Sequence, residues 1–513
     1  MKQNQVNEKL IKILQENKDS DCGRNMDFRY IKIVNGFRHL VPISEYDDIA
    51  PLVDLTTRLG EKEIYTSHPL IGYSLTSGTT GVPRYIPCSE RHIEDYKKEF
   101  LSIVGKNRTM LLFESLPRDK KFKDGVYLDS ISGIMLQSMK KEMKKLNIVN
   151  PEPMIYLKDY ADSEYLRAFF ALTDAELNQI FAPFSWCVIN LFTYIEKNFN
   201  KLLDDIENGS IDESANVSDE LRTELKPYIK PNKKRAEELK ALYNEEFFEG
   251  PWVEKVWPRM TKVIAGGGGS FSIYSKALKR HLGNIPHNYG LYASSEAVVG
   301  KAVQDNSDIY TLADSSDFFE FLPTDDKECE TLLADELEVG KSYKVLVTNN
   351  AGLYRYQLGD VIEVTEVQNK VPYFRIVYRS AQKIVIGNAK ITEDKIYEAI
   401  CTLEKEKGID IADFTFGDED GKCLILLESD SNKNNVSKCA QTPIADITSI
   451  MESELSDDKN EVKCIVHFSE PQTQLLYRDV RIYREKTVID QIKPVRVLDN
   501  PVKEKFFKRM IER

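Results

Sequence analysis

Apolar positions change their period several times along this chain. From about residue 90 to 250 they recur at three- and four-residue spacing. The clearest stretches are Tyr165-Leu-Arg-Ala-Phe-Phe-Ala-Leu172 and Leu177 to Leu202, and the spacing predicts helices with one buried face. Between roughly 255 and 380 short β-branched runs take over: Lys262-Val-Ile264, Tyr343-Lys-Val-Leu-Val-Thr348, Asp360-Val-Ile-Glu-Val-Thr365 and Tyr373-Phe-Arg-Ile-Val-Tyr378. Gly, Asn, Asp and Pro separate these runs, which predicts strands joined by turns. Long helices mixed with strands define an α/β body. After about 380 the pattern becomes helix then strand, twice. A helix over Ile391 to Lys405 with Thr392 as N-cap precedes the strand Cys423 to Leu427, and a helix over Ile444 to Leu455 precedes the strand Val462 to Val466. The polar stretch Glu428 to Asn435 between them reads as surface loop. The expected architecture is a large mixed domain over 1–379 and a small α+β domain over 380–513.

Two apolar stretches bear on location. Leu10, Ile11, Ile13 and Leu14 lie among Lys, Gln, Asn and Glu, which predicts a short amphipathic helix and not a signal peptide. Ile180 to Phe192 is the most apolar run, but at thirteen residues, with Pro183, Ser185 and Asn190 inside it, it is too short to span a bilayer. It reads as a buried segment, so no membrane partner is expected. The 513 residues are 42% hydrophobic and 30% charged, as in ordinary globular proteins, and carry a net charge of −12. That acidity excludes nucleic-acid binding as the main work and leaves room for a local phosphate site. None of the eight cysteines forms a C-x-x-C pair, so reduced thiols in a cytoplasmic protein are expected. Nothing in the sequence sets the oligomeric state.

The sharpest local feature is Tyr73-Ser-Leu-Thr-Ser-Gly-Thr-Thr-Gly-Val-Pro-Arg84. Thr76, Ser77, Thr79 and Thr80 bring hydroxyls, Gly78 and Gly81 let backbone N–H groups approach an anion, and Arg84 adds a charged fork for phosphate oxygens. It lacks the G-x-x-x-x-G-K-[ST] pattern of the P-loop. The pattern T-S-G-T-T-G-x-P-[KR] closely resembles the phosphate loop of adenylate-forming enzymes: acyl-CoA ligases, luciferases and adenylation domains. The rest of that superfamily's signature follows in order. Gly266 to Gly269 comes after a strand, then Tyr292-Ala-Ser-Ser-Glu296, Tyr356-Gln-Leu-Gly-Asp360, Arg379 at the expected hinge, and Lys493 in Gln-Ile-Lys-Pro near the end.

Taken singly, each of these residues has a plainer reading. Tyr292 fits a core aromatic, Asp360 a turn, Arg379 a surface ion pair and Lys493 a solvated tail lysine. The order of the set favours the site. Its wording is narrower than the superfamily: Tyr292-Ala-Ser-Ser-Glu296, Ala351-Gly-Leu-Tyr-Arg-Tyr-Gln-Leu-Gly-Asp360 and Phe319-Glu-Phe-Leu-Pro323 resemble the Gretchen Hagen family of auxin-responsive acyl acid–amido synthetases.

The resemblance implies a ligase that activates a small carboxylic acid with ATP and Mg²⁺ as an acyl-AMP, then passes the acyl group to an amine, usually an amino acid. By the same resemblance Thr76 to Thr80 and Arg84 cradle phosphates, Tyr292 lies against adenine, Ser295 bonds a phosphate oxygen and Glu296 holds Mg²⁺. Asp360 takes the ribose hydroxyls, Arg379 adds a ribose or phosphate contact, and Lys493, on a mobile C-terminal domain, bridges the carboxylate and the α-phosphate. An acyl-CoA or carrier-protein ligase, and a nucleotide-binding protein without catalysis, are the alternatives. Arg84 stands where lysine is more usual. Tyr127 to Gly133 is a candidate acid-pocket segment, while Phe169, Phe170, Phe181, Phe184 and Trp186 read as core.

Overall fold

A computed structural model of the chain describes residues 3–77, 83–116, 122–159, 161–244, 246–324, 330–379, 383–429, 433–485 and 492–511. The amphipathic start is a helix, Gln3–Glu16, with Leu10, Ile13 and Leu14 buried. Strands β1 (Leu70–Ser77) and β2 (Pro83–Ser89) pair antiparallel and set Thr76 opposite Arg84. The helix Glu90–Val104 follows, and the Ser89 hydroxyl caps it by accepting the His92 N–H. Strand β3 (Thr109–Leu111) comes next, and β4 (Leu128–Asp129) returns to lie parallel to β1.

Strands β5 (Gln179–Phe184), β6 (Lys262–Gly266) and β7 (His287–Asn288) extend β3 into a parallel sheet of order β3-β5-β6-β7. Parallel strands need crossovers and are covered on both faces, so they read as apolar runs and not as alternation. This explains one correction. The helical spacing from Leu177 to Leu202 conceals a strand at its start, and the helix runs Ser185–Asn208. Ile180 to Ala182 is continuously apolar, and Pro183 lacks the N–H that a helix interior requires.

Strands β8 (Leu291–Ala293), β9 (Val298–Ala302), β10 (Tyr310–Leu312), β11 (Phe318–Pro323), β12 (Ser342–Thr348), β13 (Tyr356–Gln368) and β14 (Val371–Arg379) form an antiparallel sheet of order β11-β12-β13-β14-β10-β9-β8. The hydroxyl of Tyr292 on β8 lies 2.9 Å from Asp360 Oδ2 on β13. Laid flat, four strand spacings of about 4.8 Å would part them by about 19 Å, further than the two side chains reach. The sheet is therefore rolled, with Tyr292, Tyr310 and Phe374 packed inside the curl.

The hairpin β15 (Lys383–Ile386) and β16 (Ala389–Thr392) leads to the helix Glu393–Lys407. Thr392 occupies the N-cap without a side-chain bond, and Ile391 belongs to the strand. Strands β17 (Ile411–Glu419), β18 (Lys422–Ser429) and β19 (Cys464–Ser469) make a three-stranded sheet, and the helix Ile444–Leu455 spans its predicted range. The loop expected over Glu428 to Asn435 is corrected at both ends. Glu428 and Ser429 finish β18 and are buried, and Lys433–Gln441 is helical. Glu428 stays inside because its carboxylate accepts N–H groups of Gln472 and Gln474 at the next helix start. Among the described residues no helix is long and apolar enough to cross a membrane, and none of the seven described cysteines is in a disulfide.

A buried charge cluster ties the N-terminal segment to the rolled sheet. Glu320, 1% exposed, accepts from Arg38 Nε at 3.1 Å, Arg355 Nε at 3.0 Å and Thr331 Oγ1 at 2.5 Å. Arg355 also donates to the carbonyls of Arg38 and Val41, and it holds a left-handed backbone at φ 47°. Removing one partner of a buried ion pair strands the other. Arg355→Met is expected to lower unfolding stability by about 3 kcal/mol, read as a shifted urea midpoint. Adding Glu320→Gln should recover part of that loss.

Two histidines are buried and neutral. Burial drops His92 and His287 to about 4, and their Nε2 atoms lie 3.3 Å from the Ser295 carbonyl and 3.0 Å from the Ala265 carbonyl. A folded pKa below the unfolded value near 6.5 gives stability that is present above pH 6.5 and lost as pH falls toward 4. Each histidine steepens that loss by up to about 1.4 kcal/mol per pH unit. The expected result is a smaller fall in melting temperature between pH 6.5 and 4 for His92→Gln/His287→Gln than for the natural chain.

Candidate active site

The rolled sheet brings the predicted ribose and adenine residues together. Tyr292 and Asp360 are 4% and 2% exposed and joined by their hydrogen bond, while the Tyr292 ring meets Tyr310 and Phe374 edge-on at 6.2 and 6.3 Å. A ring so covered borders a ligand by an edge at most. Its hydroxyl holds the Asp360 carboxyl in place. Arg379 is the register partner of Asp360 across β13 and β14, and its side chain lies outside the described residues.

The segment Ser294 to Glu296 is fastened from several sides. Ser74 Oγ on β1 donates to Ser295 Oγ at 2.7 Å, and Tyr96 donates to the Ser294 carbonyl at 2.8 Å. His92 abuts the Ser295 carbonyl, and Asn349 Nδ2 donates to the Glu296 carbonyl at 2.9 Å. Glu296 is buried, and its N–H donates to Ser294 Oγ. These contacts fix the backbone on which Ser295 and Glu296 sit, so neither side chain depends on a loose loop for its position.

Strands β1 and β2 flank the phosphate-loop residues, and β1 reaches this segment through Ser74. Thr76 is half-buried at the end of β1. The Arg84 guanidinium lies 5.3 Å over the Tyr46 ring, and the Tyr46 hydroxyl accepts the Tyr85 N–H. Gly78, Thr79 and Thr80 lie outside the described residues, as does the Ser77 side chain. The Tyr356 hydroxyl shows that the groups share one neighbourhood. Burial raises its pKa, the Glu296 charge raises it further, and Arg84 opposes.

The third component is the glycine turn after β6. A Cβ on Gly267 would stand 2.2 Å from Ser275 Oγ, and Gly269 has φ +57°, so both positions favour glycine. Phe184, at the end of β5, is the register partner of Gly266 and stacks on Phe271 at 4.3 Å. Lys493 Nζ lies 4.9 Å from the Phe184 ring centroid. The lysine therefore stands at the carboxyl end of the parallel sheet, where open α/β sheets bind ligands. Gly268 in turn faces Tyr310, the neighbour of Tyr292.

Sequence reasoning missed the supports: Ser74, His92, Tyr96, Asn349 and Tyr46. Their contacts cross 39 to 221 positions, and no periodicity announces them. Phe184, read as core, is the platform for Lys493. Phe169, Phe181 and Trp186 are core as expected. Asp129 in the Tyr127 to Gly133 segment is buried and accepts from Ser115 Oγ at 2.7 Å, so this carboxyl braces β4.

Comparisons with known proteins agree with this geometry. The GH3 family N-terminal domain matches residues 2–287, and the GH3 family central domain matches 310–379. Jasmonoyl–L-amino acid synthetase GH3.5 of Oryza sativa subsp. japonica is 25% identical over 476 residues, covering 84% of this chain and 81% of its own. Indole-3-acetic acid–amido synthetase GH3.17 of Arabidopsis thaliana is 26% identical over 446 residues, covering 76% and 71%. The solved GH3.15 acyl acid amido synthetase in complex with 2,4-DB is 19% identical and matches 100% of this chain and 94% of its own, with a TM-score of 0.84. 2-Hydroxyisobutyryl-CoA ligase in its postadenylation state is 11% identical and matches 99% and 92%, with a TM-score of 0.60, which places the fold among adenylate-forming ligases. With more than half of its length under the N-terminal family domain, the chain belongs to the GH3 family.

Proposed function

We propose that this chain is an ATP-dependent acyl acid–amido synthetase, joining a small carboxylic acid to an amino acid through an acyl-adenylate. The observation that carries the reading is the seat of Lys493 on Phe184, beside the glycine turn and the Tyr292–Asp360 pair, in a chain of the GH3 family. In the first half-reaction a carboxylate oxygen bonds to the α-phosphorus while the bond from that phosphorus to the bridging oxygen breaks, and pyrophosphate leaves. In the second, the amine nitrogen bonds to the acyl carbon, the carbon–oxygen bond to AMP breaks, and the amine proton passes to solvent.

Each residue has a task set by its surroundings. Asp360, held by Tyr292, accepts from both ribose hydroxyls, and Tyr292 borders the adenine by its edge. Thr76, Ser77, Gly78, Thr79, Thr80 and Arg84 surround the β- and γ-phosphates, Ser295 bonds a phosphate oxygen, and Arg379 contacts the ribose or a phosphate. Lys493 neutralises charge between the incoming carboxylate and the α-phosphate. The described residues hold no group of three or more His, Cys, Asp or Glu side chains suited to a metal. Glu296 as a single carboxylate suits Mg²⁺, which takes its remaining ligands from water and substrate phosphates. Bound there, Mg²⁺ offsets the negative charge of the triphosphate.

Residues 1–379 form the body in this reading, and 380–513 a cap that reorients between the half-reactions. The free thiols support a reducing compartment, the cytoplasm.

The test is a panel of indole-3-acetate, jasmonate and benzoate with ATP and Mg²⁺, and with amino acids or CoA as acceptors. Acid-dependent pyrophosphate exchange and the mass of an acid–amino acid conjugate are expected, without thioester. Thioester formation would assign a CoA ligase instead, and no exchange with any acid would assign a nucleotide-binding protein without catalysis. Lys493→Ala is expected to slow adenylation by about 100-fold or more, with ATP binding retained in calorimetry. Glu296→Gln should move the Mg²⁺ activation curve to higher concentration, and an unmoved curve removes Glu296 from the metal.

A further inference from the structure

Lys493 is carried stiffly by the C-terminal unit. Two residues on, the Val495 carbonyl accepts from Thr415 Oγ1 at 2.9 Å and Gln474 Nε2 at 2.8 Å, and Val495 N–H donates to Gln474 Oε1 at 3.0 Å. Arg496 and Leu498 bracket Phe416 of β17 with two backbone bonds of 2.8 Å. A residue so near a bolted segment has little reach of its own. Where its ammonium stands is decided by how the unit docks on the body.

The docking contact nearest Lys493 is polar and fully buried. Arg496 Nε donates to Glu393 at 2.8 Å, and its Nη1 donates to Asp413 Oδ1 at 2.5 Å and the Phe414 carbonyl at 2.9 Å. These partners all belong to the C-terminal unit. The body supplies one group, the hydroxyl of Tyr274 on the helix Ser272–Leu282. It donates to Asp413 Oδ2 at 2.5 Å and accepts from Arg496 Nη2 at 3.1 Å. Tyr274 packs on Trp186 at 5.0 Å and Phe271 at 6.3 Å, and Phe271 stacks on Phe184 beneath Lys493. Lys493 and Arg496, three positions apart, thus rest on one aromatic wall of the body.

We propose that Tyr274, through Asp413 and Arg496, is a positioning residue that seats Lys493 for the adenylation half-reaction. The inference rests on the synthetase reading for its catalytic consequence but not for the docking itself. The chemistry suits a contact made and broken on each cycle. When the unit leaves, Arg496 keeps Glu393 and Asp413, and the contact with Tyr274 gives up the two bonds of a neutral hydroxyl. At this wall the hydroxyl is the directional group, because Phe184 and Phe271 beside it are apolar and non-directional.

Tyr274→Phe removes the hydroxyl and keeps the ring. In the full chain, spin labels at the exposed positions Glu254 and Glu406, with Cys329 and Cys401 changed to Ser, read docking without turnover. One dominant distance is expected for the natural Tyr274, and a second population, at least several-fold enriched, for Tyr274→Phe. With the panel acid that gives the fastest exchange, pyrophosphate release at saturating ATP should slow by about tenfold, since small misplacement of a reacting group costs rate. KM for ATP and single-turnover transfer from the supplied acyl-adenylate to the amino acid should stay unchanged. An unmoved distance distribution, or an equal fall in both half-reactions, overturns the proposal. Absence of exchange in the natural chain defeats the synthetase reading alone, because the distance measurement still decides the docking role.

Discussion

The rolling of one antiparallel sheet is the constraint on which the site depends. Tyr292 and Asp360 come from strands four spacings apart, and only curvature lets them share a hydrogen bond of 2.9 Å. The curl is filled by Tyr310 and Phe374, whose area sets its radius. Shifts of register between Val361 and Ile362, and between Val364 and Glu366, bend β13 beside Asp360. Arg355, a few residues earlier, anchors the entry to β13 through Glu320 and the N-terminal segment. A buried ion cluster far from any phosphate thus contributes to the site by fixing where the strand begins.

Much of the candidate site's local structure was legible because its motifs lie at or beside bends of the backbone. A tight glycine turn must lack Cβ atoms, and Gly359, at φ +83°, bends β13 just before Asp360. Such demands leave residues at fixed local offsets, and Gly266 to Gly269, Tyr292 to Glu296 and Tyr356 to Asp360 preserve them. Strands β12, β13 and β14 of the rolled sheet were legible for a related reason, since β-branched runs between turn residues are local too. What stayed hidden was support from a distance. The bonds from Ser74, His92 and Tyr96 to the Ser294–Ser295 segment join residues about two hundred positions apart. The helical reading of Leu177 to Leu202 failed where burial on both faces erased the period that distinguishes strand from helix.

The family assignment gives the acidity of the chain a narrower meaning. In the proposed synthetase, a net charge of −12 would oppose the approach of ATP, so affinity would have to come from local donors and not from a general field. The structure spends its cations accordingly. Arg38, Arg167, Arg355 and Arg496 are committed to buried carboxylates and hold the scaffold. Arg84 and Lys493 also lie over aromatic faces, those of Tyr46 and Phe184, which hold the position of a guanidinium or ammonium without discharging it. Arg496 has both kinds of partner, carboxylates and the rings of Tyr274 and Phe414.

The same logic separates the contacts across the docking surface. Arg478 forks to Glu164 at 2.6 and 3.1 Å, with Asp479 as its second partner. In the proposed cycle, a turn of the C-terminal unit would leave Arg478 with Asp479 but part Glu164 from its fork. Burial already raises the Glu164 carboxyl, with Arg478 the main opposing influence. Losing Arg478 pushes it further toward the neutral acid, and Arg167 is the remaining cation that opposes this. If the unit moves as proposed, release at that corner is coupled to proton uptake or rehydration, whereas release at Tyr274 gives up the bonds of a neutral hydroxyl. Two corners of the proposed interface then carry different costs, an ion pair at Glu164 and a hydroxyl at Tyr274.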